Sequence, residues 1–276
     1  DNVIEGGSAS DVINAANGND SLAGGTGADR LNGGAGNDRL FGGSIPGLTI
    51  DRGRVNDTVA DTLAGGTGDD TYVVSDMLDV VSEGVSEGTL DVVLSGVSNT
   101  LTRYANVEAL VLEDQSGAYS ASGGTGNDIL IGNNSDNLVA GGLGNDTLSG
   151  WGLATGAGSA DHLIGAAGDD VLLAFAFAGT ALPSGLTLDG GNGNDLYFIG
   201  PNMPVAGWDT GGSDTAVILG SGSAAALSGV ENIYLYGANG ATDIAARTAI
   251  LAAYAALTGG AVFNTSALAA GINATG

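Results

Sequence analysis

One carboxylate recurs at the sixth position of a nine-residue repeat, at a spacing suited to binding cations. Residues 24–40, GGTGADRLNGGAGNDRL, contain two successive units of the form GGxGxDxUx, in which U is a large apolar residue. Asp29 and Asp38 hold the sixth position in these units. Carboxylate and carbonyl oxygens are the ligands that Ca²⁺ takes in proteins. The repeat therefore predicts a row of oxygen ligands for a hard divalent cation.

The repeat fills two blocks of the chain, one before residue 74 and one after residue 122. Two units depart from the pattern, since Asn137 and Leu186 take the sixth position in them. The aspartates that we expect to ligate metal are Asp11, Asp20, Asp29, Asp38, Asp61, Asp70, Asp128, Asp146, Asp161, Asp170 and Asp195. The glycines that we expect to contribute to the same sites are Gly24, Gly27, Gly33, Gly36, Gly65, Gly68, Gly123, Gly126, Gly141, Gly144, Gly190 and Gly193.

Each unit divides into a six-residue turn and a three-residue strand, xUx. Glycine permits the positive φ angles and the close backbone approaches that such a turn needs. In the strand, U points inward and its two neighbours point outward, because side chains alternate with a period of two. Two units then form one coil, which places turns on the same side about 4.8 Å apart. Stacking in this way predicts cages of aspartate and glycine carbonyl oxygens between successive coils.

The composition of the chain limits the kinds of molecule that it can bind. The 276-residue chain has 31 acidic and 6 basic residues, a formal net charge of -25, 51 glycines and no cysteine. Phosphate binding needs a basic face, so a nucleic-acid partner is excluded, and adsorption to anionic lipid is disfavoured. Disulfides and thiolate metal sites are impossible without cysteine. No run of 18 apolar residues predicts a transmembrane segment.

Several Ca²⁺ ions are expected to be structural. One inward apolar residue per nine gives a thin core, and ordering the glycine-rich backbone costs conformational entropy. Stacked aspartates also repel one another. We therefore expect the calcium-free chain to be unfolded or nearly so, with ion binding supplying free energy of folding.

These repeats resemble those of the RTX (repeats-in-toxin) family, also called haemolysin-type calcium-binding repeats. The resemblance implies an all-β, parallel, calcium-binding β-roll with Ca²⁺ between successive turns, type I secretion, and an extracellular or cell-surface location. It makes the sixth-position aspartates the expected ligands, with a weaker site at Asn137 and a missing carboxylate at Leu186. Interruptions at 44–60, 151–159 and 174–187 depart from the family pattern. They either loop out while the stacking register resumes, or break it.

Two tandem copies of a roll and an extension are predicted. The stretches after the two blocks share an Asp-x-Tyr start, a D-x-x-V/A-x-L spacing, and a close of NVEALVL or VENIYLY. We predict roll blocks at 1–73 and 118–198, and β-rich extensions at 74–117 and 199–237. Residues 238–276 are expected to form a short helix that is either a cap or a secretion signal, with Ile244, Leu251, Tyr254 and Leu257 on its apolar face.

Other chemistry has weaker support. GVSEG, residues 84–88, fits the G-x-S-x-G pattern, but no helical pattern follows Ser86, and the single histidine, His162, falls on an outward strand position. The acids outside the nonapeptides form either an irregular calcium site or a solvated acidic loop: Asp76, Asp79, Glu83 and Glu87. Trp151 and Trp208 are expected in irregular segments, as glycan or partner anchors or as caps.

Two classes of function follow. The first is a non-enzymatic structural protein, namely a surface layer, adhesin or extracellular fibre, which folds on Ca²⁺ and self-associates or contacts the cell surface. The second is the calcium-dependent folding and secretion module of a larger type I secreted enzyme or toxin. Asp1–Glu5 reads as the tail of a nonapeptide with Ile4 inward, so we expect the chain to begin within a repeat.

Overall fold

The computed structural model describes residues 1–43, 59–113, 119–150, 160–174, 185–200, 205–209, 211–219 and 227–236. The structural statements below refer to these residues. They divide between two compact units, Asp1–Ala118 and Tyr119–Gly276. The predicted C-terminal helix, Trp151 and most of the three interruptions lie outside the described residues.

Unit 1 is a parallel solenoid. Its strands are β1 (Val3–Gly7), β2 (Val12–Asn17), β3 (Ser21–Gly25), β4 (Arg30–Ala35), β5 (Arg39–Phe41), β6 (Thr62–Thr67), β7 (Thr71–Val74), β8 (Val80–Ser82), β9 (Val92–Ser95), β10 (Asn99–Thr100) and β11 (Ala109–Leu112). A 3₁₀ turn covers Leu101–Arg103. One parallel sheet has the order β1-β3-β5-β7-β9-β11 and the other the order β2-β4-β6-β8. Alternate strands along the chain thus stack on opposite sides of the coil.

Unit 2 repeats this architecture. Its strands are β12 (Ser120–Ser122), β13 (Ile129–Ile131), β14 (Leu138–Leu143), β15 (Thr147–Ser149), β16 (His162–Ala167), β17 (Val171–Ala174), β18 (Leu186–Asn192), β19 (Leu196–Ile199), β20 (Val205–Trp208), β21 (Thr215–Leu219), β22 (Leu227–Ser228) and β23 (Asn232–Tyr236). Odd-numbered strands from β13 to β23 form one sheet, and even-numbered strands from β12 to β22 form the other. The predicted all-β, parallel β-roll is confirmed. The prediction for Trp208 was wrong, because this residue ends strand β20 rather than lying in an irregular segment.

The inward apolar residues stack in register to form the core. In unit 1, Leu22 pairs with Ile4 below it and with Leu40 above it, and Leu40 pairs in turn with Tyr72. Leu22, Leu40 and Tyr72 are fully buried. The eighth repeat position therefore fills the centre of the coil, as the period of two predicts.

The outward residues of one sheet are also covered. Ala23, Phe41 and Val73 occupy the ninth repeat position, stack in register, and are buried together with Leu94 packed against them. The Arg39 guanidinium lies over the Phe41 ring, 5.1 Å from its centroid. Stacked apolar neighbours cover one another here, so this sheet carries a small second apolar cluster on its outer face.

Stacking resumes after the interruptions. Across the first of them, Arg30 pairs with Thr62 and Leu31 with Leu63, as though the intervening residues were absent. Across the second, Leu138 pairs with His162. Across the third, Leu163 pairs with Leu188. The alternative in which the inserted segments leave the register intact is the correct one.

The inward column should dominate the stability of the loaded roll. Leu163 is fully buried on β16, whereas Leu138 is 45% exposed on the neighbouring β14. We predict that Leu163→Ala lowers the free energy of unfolding in excess calcium by about 2–5 kcal/mol, since it leaves a cavity. The matched Leu138→Ala should cost less than about 1 kcal/mol. Urea unfolding followed by circular dichroism measures both, and equal losses would contradict this assignment of the core.

Candidate metal centres

The sixth-position aspartates lie where each turn enters its strand, and their side chains are turned into the molecule. Asp11, in the first coil, is half-buried. The other predicted aspartates are buried, with at most 6% of each residue exposed: Asp20, Asp29, Asp38, Asp61, Asp70, Asp128, Asp146, Asp161, Asp170 and Asp195. Acidic side chains are rarely buried to this extent unless a partner compensates the charge.

One carboxylate oxygen joins neighbouring coils in most of the predicted aspartates. The Asp20 amide donates to Oδ1 of Asp38 at 2.8 Å, and the Asp38 amide donates to Oδ1 of Asp70 at 2.7 Å. In unit 2 the Asp146 amide donates to Oδ1 of Asp170 at 2.7 Å. Each of these acceptors is thus bonded to the amide of the equivalent aspartate one coil earlier. The result is a ladder of carboxylates along the roll axis.

The second carboxylate oxygen lacks such a donor in six of the aspartates. It is buried and accepts no hydrogen bond from any part of the chain that the structure describes. A buried anionic oxygen with no partner costs free energy, which a bound cation recovers. The six residues are Asp20, Asp38, Asp70, Asp146, Asp170 and Asp195.

The first glycine of each unit lies beside this oxygen. A side-chain carbon added at Gly165 would lie 2.3 Å from Oδ2 of Asp170 and 2.5 Å from the carbonyl oxygen of Gly190 in the next coil. A carboxylate oxygen and a carbonyl oxygen therefore both lie close to the position that a side chain at residue 165 would occupy. Only glycine, which has no side chain, fits there. The same crowding by the unit's own aspartate holds at Gly24, Gly33, Gly65, Gly123, Gly141 and Gly190.

The fourth glycine serves the stacking of turns. Gly144 has a φ of 114°, and an added side-chain carbon would lie 2.1 Å from the carbonyl oxygen of Gly126. Gly27, Gly36, Gly68 and Gly193 share this positive φ and close approach. Gly126 differs, because its φ is not positive and its nearest contact is 3.6 Å away. The carbonyl groups of these glycines are therefore stacked coil upon coil.

Burial raises the pKa values of several carboxylates in the ion-free fold. Burial raises the pKa of Asp70 to about 7, in spite of the Asp38 amide hydrogen bond that opposes the rise. Burial likewise raises the pKa of Asp170 to about 7, and those of Asp146 and Asp195 to about 6. Neighbouring carboxylates add smaller repulsions. The site therefore favours a positive charge, either a proton or a cation.

The two departures from the repeat place uncharged residues where the other units have aspartate. The Asn137 side chain accepts from the Asn133 amide at 2.7 Å and donates to the Asn133 side chain at 3.1 Å. An asparagine pair thus occupies the sixth-position environment with neutral groups. Leu186 is buried one residue before Thr187, which pairs with His162, and so takes the position equivalent to Asp161.

The carboxylate ladder continues beyond the nonapeptides. The Asp61 amide donates to Asp79 at 3.2 Å, and the Asp70 amide donates to Asp91 at 2.7 Å. In unit 2 the Asp195 amide donates to Asp214 at 2.8 Å.

The row through Asp91 in unit 1 and the row through Asp214 in unit 2 each end on a glutamate. The Asp91 amide donates to Glu108 and the Asp214 amide donates to Glu231, each at 2.8 Å. Sequence reasoning missed Asp91, Asp214 and both glutamates as continuations of the row. The sequence does contain a sign of them. Each of these acids stands two residues before the inward residue of its strand, as the aspartate does in the nonapeptide, but the glycines of the nonapeptide are absent.

The acids outside the nonapeptides have separate roles. Asp79 extends the ladder, Asp76 accepts from the Leu78 amide at 2.6 Å, and Glu87 accepts from the Gly84 amide at 2.8 Å. Glu83 is buried and accepts from the Tyr72 hydroxyl. This segment is therefore more ordered than a solvated acidic loop.

The two residues considered for catalysis, Ser86 and His162, lie in a turn and in a strand of the two solenoids. Ser86 lies in a turn with a φ of 66°, and the next element after it is the strand β9. His162 is half-buried at an outward position of β16, between Leu138 and Thr187. Ser86 belongs to unit 1 and His162 to unit 2. The strand-turn-helix context of a nucleophile elbow does not occur at Ser86.

The fold and its carboxylate ladders define a parallel β-roll of the calcium-binding class. The family model described as RTX calcium-binding nonapeptide repeat (4 copies) matches residues 1–31, 15–44, 56–71, 120–152 and 154–176. The chain therefore carries RTX calcium-binding repeats, and the ion that these repeats bind is Ca²⁺. A comparison with curated proteins gave no match. In the described part of the chain, no helix is long and apolar enough to cross a membrane.

The close stacking of turns predicts a contrast between two glycines. Gly144→Ala should prevent the turns from stacking, because its new methyl group would meet the Gly126 carbonyl oxygen at a strained φ. Gly126→Ala should be tolerated, because nothing lies closer than 3.6 Å. A calcium titration followed by circular dichroism measures the effect. We expect a higher midpoint for Gly144→Ala alone, and a normal titration of that variant would contradict the stacking geometry.

The raised pKa values predict that the calcium-free roll loses stability as the pH rises toward neutral. Aspartates in the unfolded chain titrate near pH 4, whereas the pKa of Asp70 in the fold is about 7. The contribution of such groups to the calcium-free roll is therefore present below about pH 4 and lost as pH rises through their folded pKa. Near neutral pH the calcium-free chain is expected to be unfolded, so its aspartates are already ionised before calcium binds.

A pH-stat experiment checks this linkage. Calcium added at about pH 6 or at about pH 8.5 should release few protons per chain, because the aspartates of the unfolded chain are ionised at both pH values. Release of several protons at about pH 6 alone would contradict this prediction, because it would show that a roll with protonated aspartates is already folded before calcium is added.

Proposed function

We propose that the chain is a secreted, non-catalytic structural protein of the extracellular space that becomes a rigid β-roll when it binds several Ca²⁺ ions. Its role would be in a cell-surface layer, an adhesin or an extracellular fibre. The single observation that carries the proposal is that each unit contains stacked, buried carboxylates with oxygens that lack donors in the described chain. Without calcium, the negative charges of such a chain repel one another and keep it unfolded. When calcium binds, the chain folds into the stacked roll.

The environment outside the cell fits this chemistry. Extracellular calcium modules work with dissociation constants of about 10⁻⁴–10⁻³ M, whereas cytosolic calcium is too scarce to load such sites. A chain that folds only after export can pass through a secretion channel unfolded. RTX repeats are typically found in proteins secreted by type I systems, which supports the secreted location.

We assign the ligands by the convergence of oxygens described above. The sixth-position aspartates would supply carboxylate oxygens, and the first and fourth glycines would supply carbonyl oxygens from adjacent turns. We further propose five segments: roll blocks at 1–73 and 118–198, extensions at 74–117 and 199–237, and a C-terminal cap or signal at 238–276. Ladder hydrogen bonds that pass from block to extension, such as that from Asp70 to Asp91, support treating each extension as a continuation of its roll.

The structural role favours self-association through the roll. Parallel sheets present unpaired backbone groups at their outer strands, which can pair with another copy. Neighbouring copies held this way would extend the carboxylate ladder from one chain to the next. The competing role is a calcium-dependent folding and secretion module of a larger enzyme or toxin, which would fold without assembling.

Sedimentation velocity during a calcium titration separates these roles. The chain is run from chelator to about 10 mM calcium, a range that brackets weak extracellular sites. We expect an expanded monomer in chelator, followed by compaction and then growth into large particles that chelator reverses. Compaction that stops at a monomer would favour the accessory module. An unchanged sedimentation coefficient at all calcium levels would contradict calcium-driven folding.

A further inference from the structure

We propose that each unit carries, where its nonapeptides end, a three-carboxylate site for Ca²⁺ that shares one aspartate with the last nonapeptide and takes its other two carboxylates from outside the nonapeptides. The first terminal site consists of Asp70, Glu83 and Asp91, and the second of Asp195, Asp209 and Asp214. In each, one carboxylate oxygen per residue lies within 4.8 Å of the others. Among the described residues, these are the two places where three such acids gather.

The first terminal site is a buried one. Asp70 and Asp91 are each 1% exposed, and Glu83 is 9% exposed. The Asp70 amide donates to Oδ1 of Asp91 at 2.7 Å, which fixes the spacing of these two carboxylates. Glu83 lies outside the ladder, in the turn that follows β8, and brings the third negative charge.

An oxygen without a donor points into this cluster. Oδ1 of Asp70 accepts the Asp38 amide at 2.7 Å, which leaves Oδ2 buried without a hydrogen-bond donor in the described chain. A side-chain carbon placed at Gly65 would be 2.0 Å from this Oδ2 and 2.3 Å from the Tyr72 hydroxyl oxygen. That hydroxyl donates to Glu83. The free oxygen of Asp70 therefore faces the side of the turn that holds Glu83.

Tyrosine at the eighth repeat position holds the extra acid in place. Regular units have leucine or isoleucine there, whereas the last unit of the first block has Tyr72. Its ring fills the core, and its hydroxyl accepts the Gly65 amide proton at 2.9 Å and donates to Glu83. Tyr72 is thus a positioning residue: its ring lies in the core, and its hydroxyl group reaches the turn and holds Glu83.

The second terminal site repeats this arrangement in unit 2. Tyr197 is buried, its hydroxyl accepts the Gly190 amide proton at 2.9 Å, and it donates to Oδ2 of Asp209 at 2.5 Å. Oδ2 of Asp195 is buried without a donor in the described chain and lies 2.2 Å from a side-chain carbon placed at Gly190. The acid held by tyrosine is glutamate in one unit and aspartate in the other, so the geometry recurs with different residues.

Three carboxylates at this distance select a hard divalent cation. The mutual repulsion of these carboxylates is relieved by protonation or by a positive charge. Oxygen-only ligands favour Ca²⁺ or Mg²⁺, and the several carboxylate oxygens suit the high coordination number of Ca²⁺. The site goes beyond the proposed structural role, since it does not depend on assembly.

Equilibrium dialysis of the full chain against radioactive calcium tests the proposal. Glu83→Gln keeps the shape of the side chain and removes its charge, and Glu5→Gln makes the same change at an exposed position on β1. For the second site, Asp209→Asn is paired with Asp136→Asn, a change at an exposed residue whose oxygen accepts the Ala160 amide. We expect Glu83→Gln and Asp209→Asn each to weaken one ion by at least about tenfold, and the double variant to weaken two.

Tyr72→Phe provides an independent test that spares all three carboxylates. It keeps the buried ring and removes the hydroxyl that holds Glu83, so one ion should bind about 10–100-fold more weakly at unchanged strand content. This variant replaces Glu83→Gln if the latter does not fold in calcium. Isotherms that superimpose on those of the controls would overturn the proposal. So would the joint loss of several ions, because it would mark Glu83 as a folding residue rather than a ligand.

Discussion

Repulsion between stacked carboxylates is the constraint on which this structure depends. Each coil places a buried aspartate directly above another, tied to it by one amide hydrogen bond, as between Asp20 and Asp38. That bond gives one carboxylate oxygen a hydrogen-bond donor and leaves the second oxygen buried without one in the described chain. The fold therefore holds negative charges close together, away from the water that would otherwise solvate them. Calcium suits this arrangement, because carboxylate and carbonyl oxygens, the groups that bind it in proteins, lie along the axis of the roll.

The other features of the roll follow from this constraint. Glycine is needed wherever a carboxylate or a carbonyl oxygen comes too close for a side chain, as at Gly165 and Gly144. The apolar core can remain one residue wide, because ions and the ladder hold the turns together. Where the glycines stop, the acids continue, and Tyr72 and Tyr197 place an additional carboxylate at the end of each block. The nonapeptides and the strands that follow them therefore form a continuous stack within each unit, in which the acids continue and the glycines do not.

Much of this arrangement could be predicted from the sequence. The period of nine residues predicts the coil, the inward leucines such as Leu22 and Leu40, and the stacking of the sixth-position aspartates from coil to coil, because strict repetition gives each residue type one environment. The interruptions could not be predicted, since a sequence does not show whether Leu31 will pair across a long insertion with Leu63. The terminal clusters were also hidden, because Asp70 and Asp91 are brought together by stacking between coils of unequal length.

Far-UV circular dichroism in chelator, at matched ionic strength, tests the central claim most directly. The chain is measured at about pH 8 in chelator with added sodium chloride, and then in calcium chloride of the same ionic strength. The account predicts a disordered spectrum in sodium and a β-rich spectrum in calcium, because screening weakens repulsion but fills no site. A β-rich spectrum already present in chelator would contradict it and would show that the apolar column alone holds the roll.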